Sequence, residues 1–251
     1  MKWMLTILLV LTAAAVGFAD APATDDAAPR MRVVNRDSLT IVAFGDSVTF
    51  GAHMQPGDTY PDQLQRLLCD RYGAETCRVI NAGIGGNTSD AGLARLERDV
   101  LAHKPDIVLI NFGLNDSVKT GPDIYRVPLG TYRANLLEMV RLVREAGGVP
   151  ILSTITPAID DLYFDRHPRE FYEADGGLGA LLRRYSETVA QVAREERVPV
   201  ADWRRALSGD ERELIRTPEN AGSRDGVHPT PAGHRALAIE CFLQVVRLLE
   251  G

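Results

Sequence analysis

The sequence predicts one doubly wound α/β domain built on a parallel sheet. Short, continuous apolar runs rich in β-branched residues recur at "LTIVAFG", "CRVINAG", "DIVLINFG", "VPILSTITP" and "VPVADW". Longer stretches with helical spacing separate them, and neither an internal repeat nor a second linker interrupts the alternation. Strands that are apolar on both faces belong to parallel sheets covered by helices on both sides.

Taken in order, the chain opens with a segment outside this pattern. "MKWMLTILLVLTAAAVGFADA" has a lysine near its start, then an apolar run and small residues, the layout of a secretory signal over residues 1–21. The run from Met4 to Phe18 is short for a membrane span, which takes about 20 residues. Ala19-Asp20-Ala21 fits the cleavage site, Gly17-Phe18-Ala19 competes with it, and an uncleaved anchor is the alternative. No cysteine follows the run to receive a lipid. Residues 22–37 read as a polar, Pro/Ala-rich lead-in, and 38–251 as the domain. The expected location is therefore exported, periplasmic or extracellular, with no stable membrane anchor after cleavage.

Within the domain, "TYPDQLQRLLCDRYG" and "GALLRRYSETVAQVAREE" read as helices. In "TYRANLLEMVRLVREAGG", Tyr132, Leu136, Val140 and Val143 share a face and Gly147-Gly148 supplies the stop. The last helix opens on Pro231 in "PAGHRALAIECFLQVVRLLEG", since proline suits a first turn. One long irregular piece, Pro157 to Gly177, carries Tyr163, Phe164, His167, Phe171 and Tyr172. We read it as a wall of the binding site, a surface excursion being the alternative. Export permits Cys69 and Cys77 to pair, which leaves Cys241 as a buried thiol on a helix.

A net charge of -6 and the lack of any basic tract leave nucleic-acid binding without support. Ligands in open α/β sheets bind at the carboxyl ends of the strands, so those ends carry the candidate chemistry. They present Gly45-Asp46-Ser47, then "NAGIGGNTSD", then "FGLNDS" with Asn115 and Asp116. Before the last helix comes "SRDGVHPTPAGH" with Asp225 and His228. The glycine cluster is no dinucleotide fingerprint, because Thr88 stands where the third glycine belongs, and no phosphate loop of the G-x-x-x-x-G-K-[ST] type exists. A metal centre from Asp46, Asn115, Asp225 and His228 is a weaker reading. The chain lacks H-E-x-x-H, and His228 and His234 do not have the i, i+4 spacing of a helical metal pair. No cofactor or metal is expected.

Acyl transfer uses these residues better. It needs a nucleophile, a base, an acid that orients the base, and donors for the oxyanion. Ser47 is the candidate nucleophile and His228 the base. Asp225 lies three residues before His228, close enough to hold the imidazole if Gly226-Val227 turns. A glycine N–H and the Asn115 amide are candidate oxyanion donors. The structural alternatives are plain: Asp46 or Ser47 as a helix cap, Asn115 as another, and Asp225 as a turn residue.

Four blocks in this order resemble the SGNH hydrolases, the GDSL esterase/lipase family. "FGDSVTFG" is similar to the nucleophile block, with valine in place of leucine. "NAGIGGNTSD" resembles the glycine block, "GLND" the G-x-N-D block and "DGVHPT" the D-x-x-H block, with "TYPDQL" matching the usual continuation of the first. The resemblance implies a flavodoxin-like three-layer α/β/α sandwich with a five-stranded parallel sheet of order 2-1-3-4-5, and no cofactor. It assigns Ser47, His228 and Asp225 as catalytic, with the Ser47 N–H, the Gly86 N–H and the Asn115 side chain as the oxyanion hole. Gly85 replaces Gly86 if the register slips by one, while Asp46 and Asp116 shape their loops. The implied substrate is a small-molecule or carbohydrate ester, short-chain acetyl esters first, with a lysophospholipase or thioesterase as the alternative. A non-catalytic glycan-binding module would have lost a catalytic side chain, and all four positions are filled.

Overall fold

The computed structural model describes residues 39–250. The signal and lead-in read from residues 1–37 lie outside the described residues. Strand β1 (Leu39–Gly45) runs into a short helix α1 (Ser47–Phe50), followed by α2 (Tyr60–Tyr72) and β2 (Cys77–Gly83). Helix α3 (Ser89–Asp99) leads to β3 (Ile107–Asn111) and a small hairpin, β4 (Lys119–Gly121) and β5 (Ile124–Tyr125). Then come α4 (Leu129–Glu145), β6 (Val149–Ser153), α5 (Asp160–Tyr163), α6 (Leu178–Glu196) and β7 (Val200–Ala201). Short helices α7 (Trp203–Leu207), α8 (Glu211–Leu214) and α9 (Pro218–Ala221) precede α10 (Pro231–Glu250).

The five expected strands form one sheet of order β2-β1-β3-β6-β7, every neighbouring pair parallel. This is the expected order 2-1-3-4-5, with the separate β4–β5 hairpin counted apart. Every residue of β3 is buried, which explains its unbroken apolar sequence. Helices α2 and α10 pack together in one layer, and α3 against α4 and α4 against α6 in the other. The predicted face of α4 is buried through Tyr132, Leu136, Val140 and Val143, joined by Asn135 and Met139.

Helix α3 and the β4–β5 hairpin were not legible in the sequence. The buried face of α3 is Ser89, Gly92, Arg95 and Leu96, so it lacks an apolar stripe. Gly92 is needed there because a Cβ would come within 2.4 Å of the Phe112 ring. The 157–177 segment is folded down by buried tyrosines. Tyr163 and Tyr172 share a hydroxyl hydrogen bond of 2.8 Å, and the Lys119 N–H donates to Tyr172 Oη at 3.1 Å. Asp175 receives Lys119 and the Tyr125 hydroxyl.

The expected Cys69–Cys77 disulfide is corrected: all three cysteines are free thiols. Gln65 occupies the seam between α2 and β2 instead. Its amide donates to the Cys77 carbonyl at 2.7 Å and to Cys69 Sγ at 3.1 Å, and its Oε1 accepts from the Val79 N–H. The helix and strand are therefore joined by hydrogen bonds where a covalent link was expected. Cys241 is fully buried on α10, and burial pushes its thiol up to about 12.

His234 ties α10 to α2, its buried Nδ1 accepting from the Tyr60 N–H at 3.1 Å. Burial pushes its pKa down to about 4, from about 6.5 in an unfolded chain. The unfolded chain thus binds the extra proton between these values, and this stability is complete above pH 6.5 and lost as pH falls toward 4. Its size is on the order of 3 kcal/mol. Asp46 and Asp116, each raised to about 6 by burial, act in the opposite direction, because their folded forms take up protons first. Comparison with His234→Asn isolates the histidine: urea unfolding should favour the parent less at pH 4.5 than at pH 7. A parent–variant gap that stays constant with pH would contradict this.

Candidate active site

The sheet's strand order reverses at β1, which lies between β2 and β3, and the crevice outside the carboxyl ends opens there. Ser47 follows β1, the glycine loop follows β2, and Asn115 follows β3. Asp46 and Ser47 have separate roles. Asp46 is the N-cap of α1, its Oδ1 accepting from the Val48 N–H at 2.9 Å. Ser47 is then the first helical residue, half-buried, with its hydroxyl facing the loop before α10.

That loop brings His228 to the serine. His228 Nε2 lies 2.9 Å from Ser47 Oγ, and Nδ1 lies 2.9 Å and 3.0 Å from the two Asp225 oxygens. Gly226 makes the turn at φ +70°, against Leu162, which leaves no room for a Cβ. Asp225 Oδ1 also accepts from the backbone N–H groups of Val227 and His228, both at 3.0 Å. Burial alone would raise the Asp225 pKa. The hydrogen bond and charge of His228, with these amides, outweigh burial and hold it at about 2. Asp225 is therefore an anion throughout the neutral range, suited to orient a neutral imidazole and to stabilise an imidazolium.

On the other side of Ser47, the Asn115 amide donates to the Asn87 carbonyl at 3.1 Å, with a longer contact to Asp46 Oδ2 at 3.3 Å. Gly86 takes φ +76° and is exposed, and its N–H has no partner among the described residues. The neighbouring glycines serve other ends: at Gly83 a Cβ would lie 2.1 Å from the Phe50 backbone, so it lets α1 approach β2. Buried Asp116 accepts from the Ser89 N–H and hydroxyl and supports the loop from below.

Ser47, Gly86, Asn115 and His228 line a cavity of about 310 Å³. Tyr163, Arg166 and His167 from the 157–177 segment form a wall. A larger cavity, about 520 Å³, opens among Arg144, Val149, Pro150 and Pro199 at the start of β6, with no nucleophile–base pair in it. Ser47, Asn115 and His228 thus line one cavity with Gly86, and Asp225 is joined to it through His228 Nδ1. Among the described residues, His53, Asp225 and His228 bring potential metal-ligand atoms within 4.8 Å of one another. Both ring nitrogens of His228 are already engaged by Ser47 and Asp225, so a cation there would have to displace one of them.

A family model described as the GDSL-like lipase/acylhydrolase family matches residues 43–236. The chain belongs to this family. An acetylxylan esterase of Geobacillus stearothermophilus is 28% identical over 234 residues, covering 86% of this chain and 96% of that protein. An uncharacterised lipoprotein of Bacillus subtilis is 30% identical over 208 residues, covering 78% and 84% respectively. The crystal structure of a lipase/acylhydrolase from Enterococcus faecalis superimposes with a TM-score of 0.66 at 26% identity, covering 82% of this chain and 95% of that one. This member of the GDSL-like family is a carboxylic ester hydrolase.

Sequence reasoning missed four residues beside this candidate site. Arg95 of α3 joins the carboxyl ends of β1 and β2, donating to the carbonyls of Gly45 and Ala82 and to Asn87 Oδ1, each at 2.8 Å. His53 places Nε2 3.5 Å from Asp225 Oδ2 and its ring edge-on to His228. Arg126 donates to the Gly86 carbonyl and Asn115 Oδ1, and Arg166 to the backbone of Arg224 and Asp225. A basic residue in a loop or on a helix carries no local pattern that separates such roles from a solvated surface.

Proposed function

We propose that this protein is an exported serine ester hydrolase that works through an acyl-enzyme and favours acetyl esters, those of carbohydrates foremost. The observation that carries the reading is the chain of short hydrogen bonds from Ser47 through His228 to Asp225 at the sheet's carboxyl edge. His228 Nε2 accepts the Ser47 hydroxyl proton as Oγ attacks the ester carbonyl. The oxyanion accepts from the N–H groups of Ser47 and Gly86 and from the Asn115 amide. As the tetrahedral species collapses, the imidazolium returns its proton to the leaving alcohol. Water, deprotonated by the same imidazole, then releases the acid.

Support for a short acyl group comes from the cavity, which is small, about 310 Å³, and whose apolar lining includes Ala52, Leu114, Val118 and Val227. Aromatic and polar side chains share its wall, a combination suited to stacking on sugars and bonding their hydroxyls. The relative named as an acetylxylan esterase supports the same substrate class. Support for export comes from residues 1–21, read as a cleaved signal, with 38–251 as the hydrolase domain. Among the described residues no helix is long and apolar enough to cross a membrane.

Hydrolysis of p-nitrophenyl acetate and p-nitrophenyl decanoate by the mature protein tests the acyl preference. A higher kcat/KM for acetate is expected. Preference for decanoate would overturn the short-chain reading and favour a lysophospholipase or thioesterase.

A further inference from the structure

Two arginines flank this cavity with no acid to neutralise them: Arg166 lines it, and Arg126 bonds to Gly86 and Asn115 of its lining. Among the described residues, neither Arg126 nor Arg166 forms an ion pair, although both are exposed and the chain carries a net charge of -6. Each is held by neutral oxygens instead. Arg126 donates to the Gly86 carbonyl at 3.0 Å and to Asn115 Oδ1 at 3.4 Å, and Arg166 donates to the carbonyls of Arg224, at 2.6 Å, and of Asp225.

The acids nearby are already committed. Asp225 is taken by His228 and two backbone amides, Asp165 by Arg224, Asp161 by Arg212, and Asp175 by Lys119 and Arg184. The cavity lining itself contributes no carboxylate. The charges of both arginines reach Tyr163 of the cavity wall. A guanidinium fork that keeps unused N–H donors beside a cavity is suited to a planar or tetrahedral anion. A cationic rim on an acidic protein also draws anions selectively to that rim.

We propose that this esterase acts on esters whose alcohol portion carries a carboxylate or phosphate group, held beside the cavity by Arg166 of its wall and by Arg126 on the adjoining Gly86–Asn115 edge. The alcohol side follows from placement. Arg166 sits on the Asp225–His228 loop, and His228 Nε2 is the atom that returns a proton to the leaving alcohol. An acetylated acidic sugar meets both this requirement and the small acyl cavity. The inference rests on the serine ester hydrolase reading above and adds the charge of its substrate.

The test pairs 4-acetoxybenzoate with its neutral counterpart, methyl 4-acetoxybenzoate, each enzymatic kcat/KM being divided by the rate of hydroxide-catalysed hydrolysis. The parent should favour the anionic ester by about tenfold at low salt and lose that preference at high salt. Arg126→Gln and Arg166→Gln touch the oxyanion loop and the Asp225 loop, so their activity on the neutral ester is expected to fall as well. The diagnostic quantity is the anionic-to-neutral ratio, which should drop toward one in each Gln variant and recover in Arg126→Lys and Arg166→Lys. A parent that hydrolyses the neutral ester through Ser47 with no anionic preference overturns the inference alone. So does a preference that survives both Gln substitutions. A parent whose activity persists in Ser47→Ala, or that hydrolyses neither ester, overturns the serine hydrolase reading and the inference with it.

Discussion

Asp225→Asn should lower kcat on p-nitrophenyl acetate by about 10⁴-fold, the scale seen when the orienting carboxylate of a serine triad becomes an amide. The replacement has almost the same shape, and an Oδ1 in place of the carboxylate oxygen can still accept from the N–H groups of Val227 and His228. What changes is the proton on His228. In the proposed triad Asp225 accepts from Nδ1–H and leaves Nε2 free to take the Ser47 proton; an asparagine N–H directed at Nδ1 would fix the other tautomer, with Nε2 protonated and useless as a base. The imidazolium also loses a partner that stays ionised down to about pH 2. Kinetics beside a thermal melt would check this. A loss below tenfold in a folded variant would mean that another group orients the imidazole, with His53, 3.5 Å from the same carboxylate, the first to examine.

Asn115→Ala should cost about 10²- to 10³-fold in kcat with little change in KM, because an oxyanion donor acts on charge that appears only in the transition state. The amide is held in place before any substrate arrives. Its contact with the Asn87 carbonyl fixes the plane, while Arg126 donates to Oδ1 at 3.4 Å. The kcat–KM split separates this role from simple support of the loop. A variant that raises KM and keeps kcat would assign Asn115 to ground-state binding instead.

Much of this site was legible because its parts sit where regular structure ends. The central strands β1, β3 and β6 show in the sequence because they are buried on both faces and need apolar residues almost throughout, while edge strand β2 is partly exposed. Their carboxyl ends follow directly, and Ser47, Gly86 and Asn115 come with them. The Asp225–His228 spacing was readable as a turn, and Gly226 at φ +70° makes it. What stayed hidden was whatever depends on tertiary contact alone. Helix α3 buries Arg95 and Ser89 where an apolar stripe was sought, and these polar groups are satisfied by strand ends and loops distant in sequence. The pairing of Cys69 with Cys77 looked natural from their separation, yet Gln65 fills the seam between them with three hydrogen bonds. Arg126 and Arg166 read as ordinary surface charge, and what gives them meaning is that among the described residues the nearby acids are all engaged by other partners.

Everything proposed for this enzyme depends on Ser47 being the group that attacks the ester, and covalent labelling probes that atom itself. The protein would be treated with p-nitrophenyl diethyl phosphate, a phosphoryl ester that traps an activated serine, and the labelled chain digested and mapped by mass spectrometry. One diethylphosphoryl group on the peptide containing Ser47, gained in step with the loss of esterase activity, is the expected result. Full activity after treatment, or a label on another residue that tracks inactivation, would contradict it.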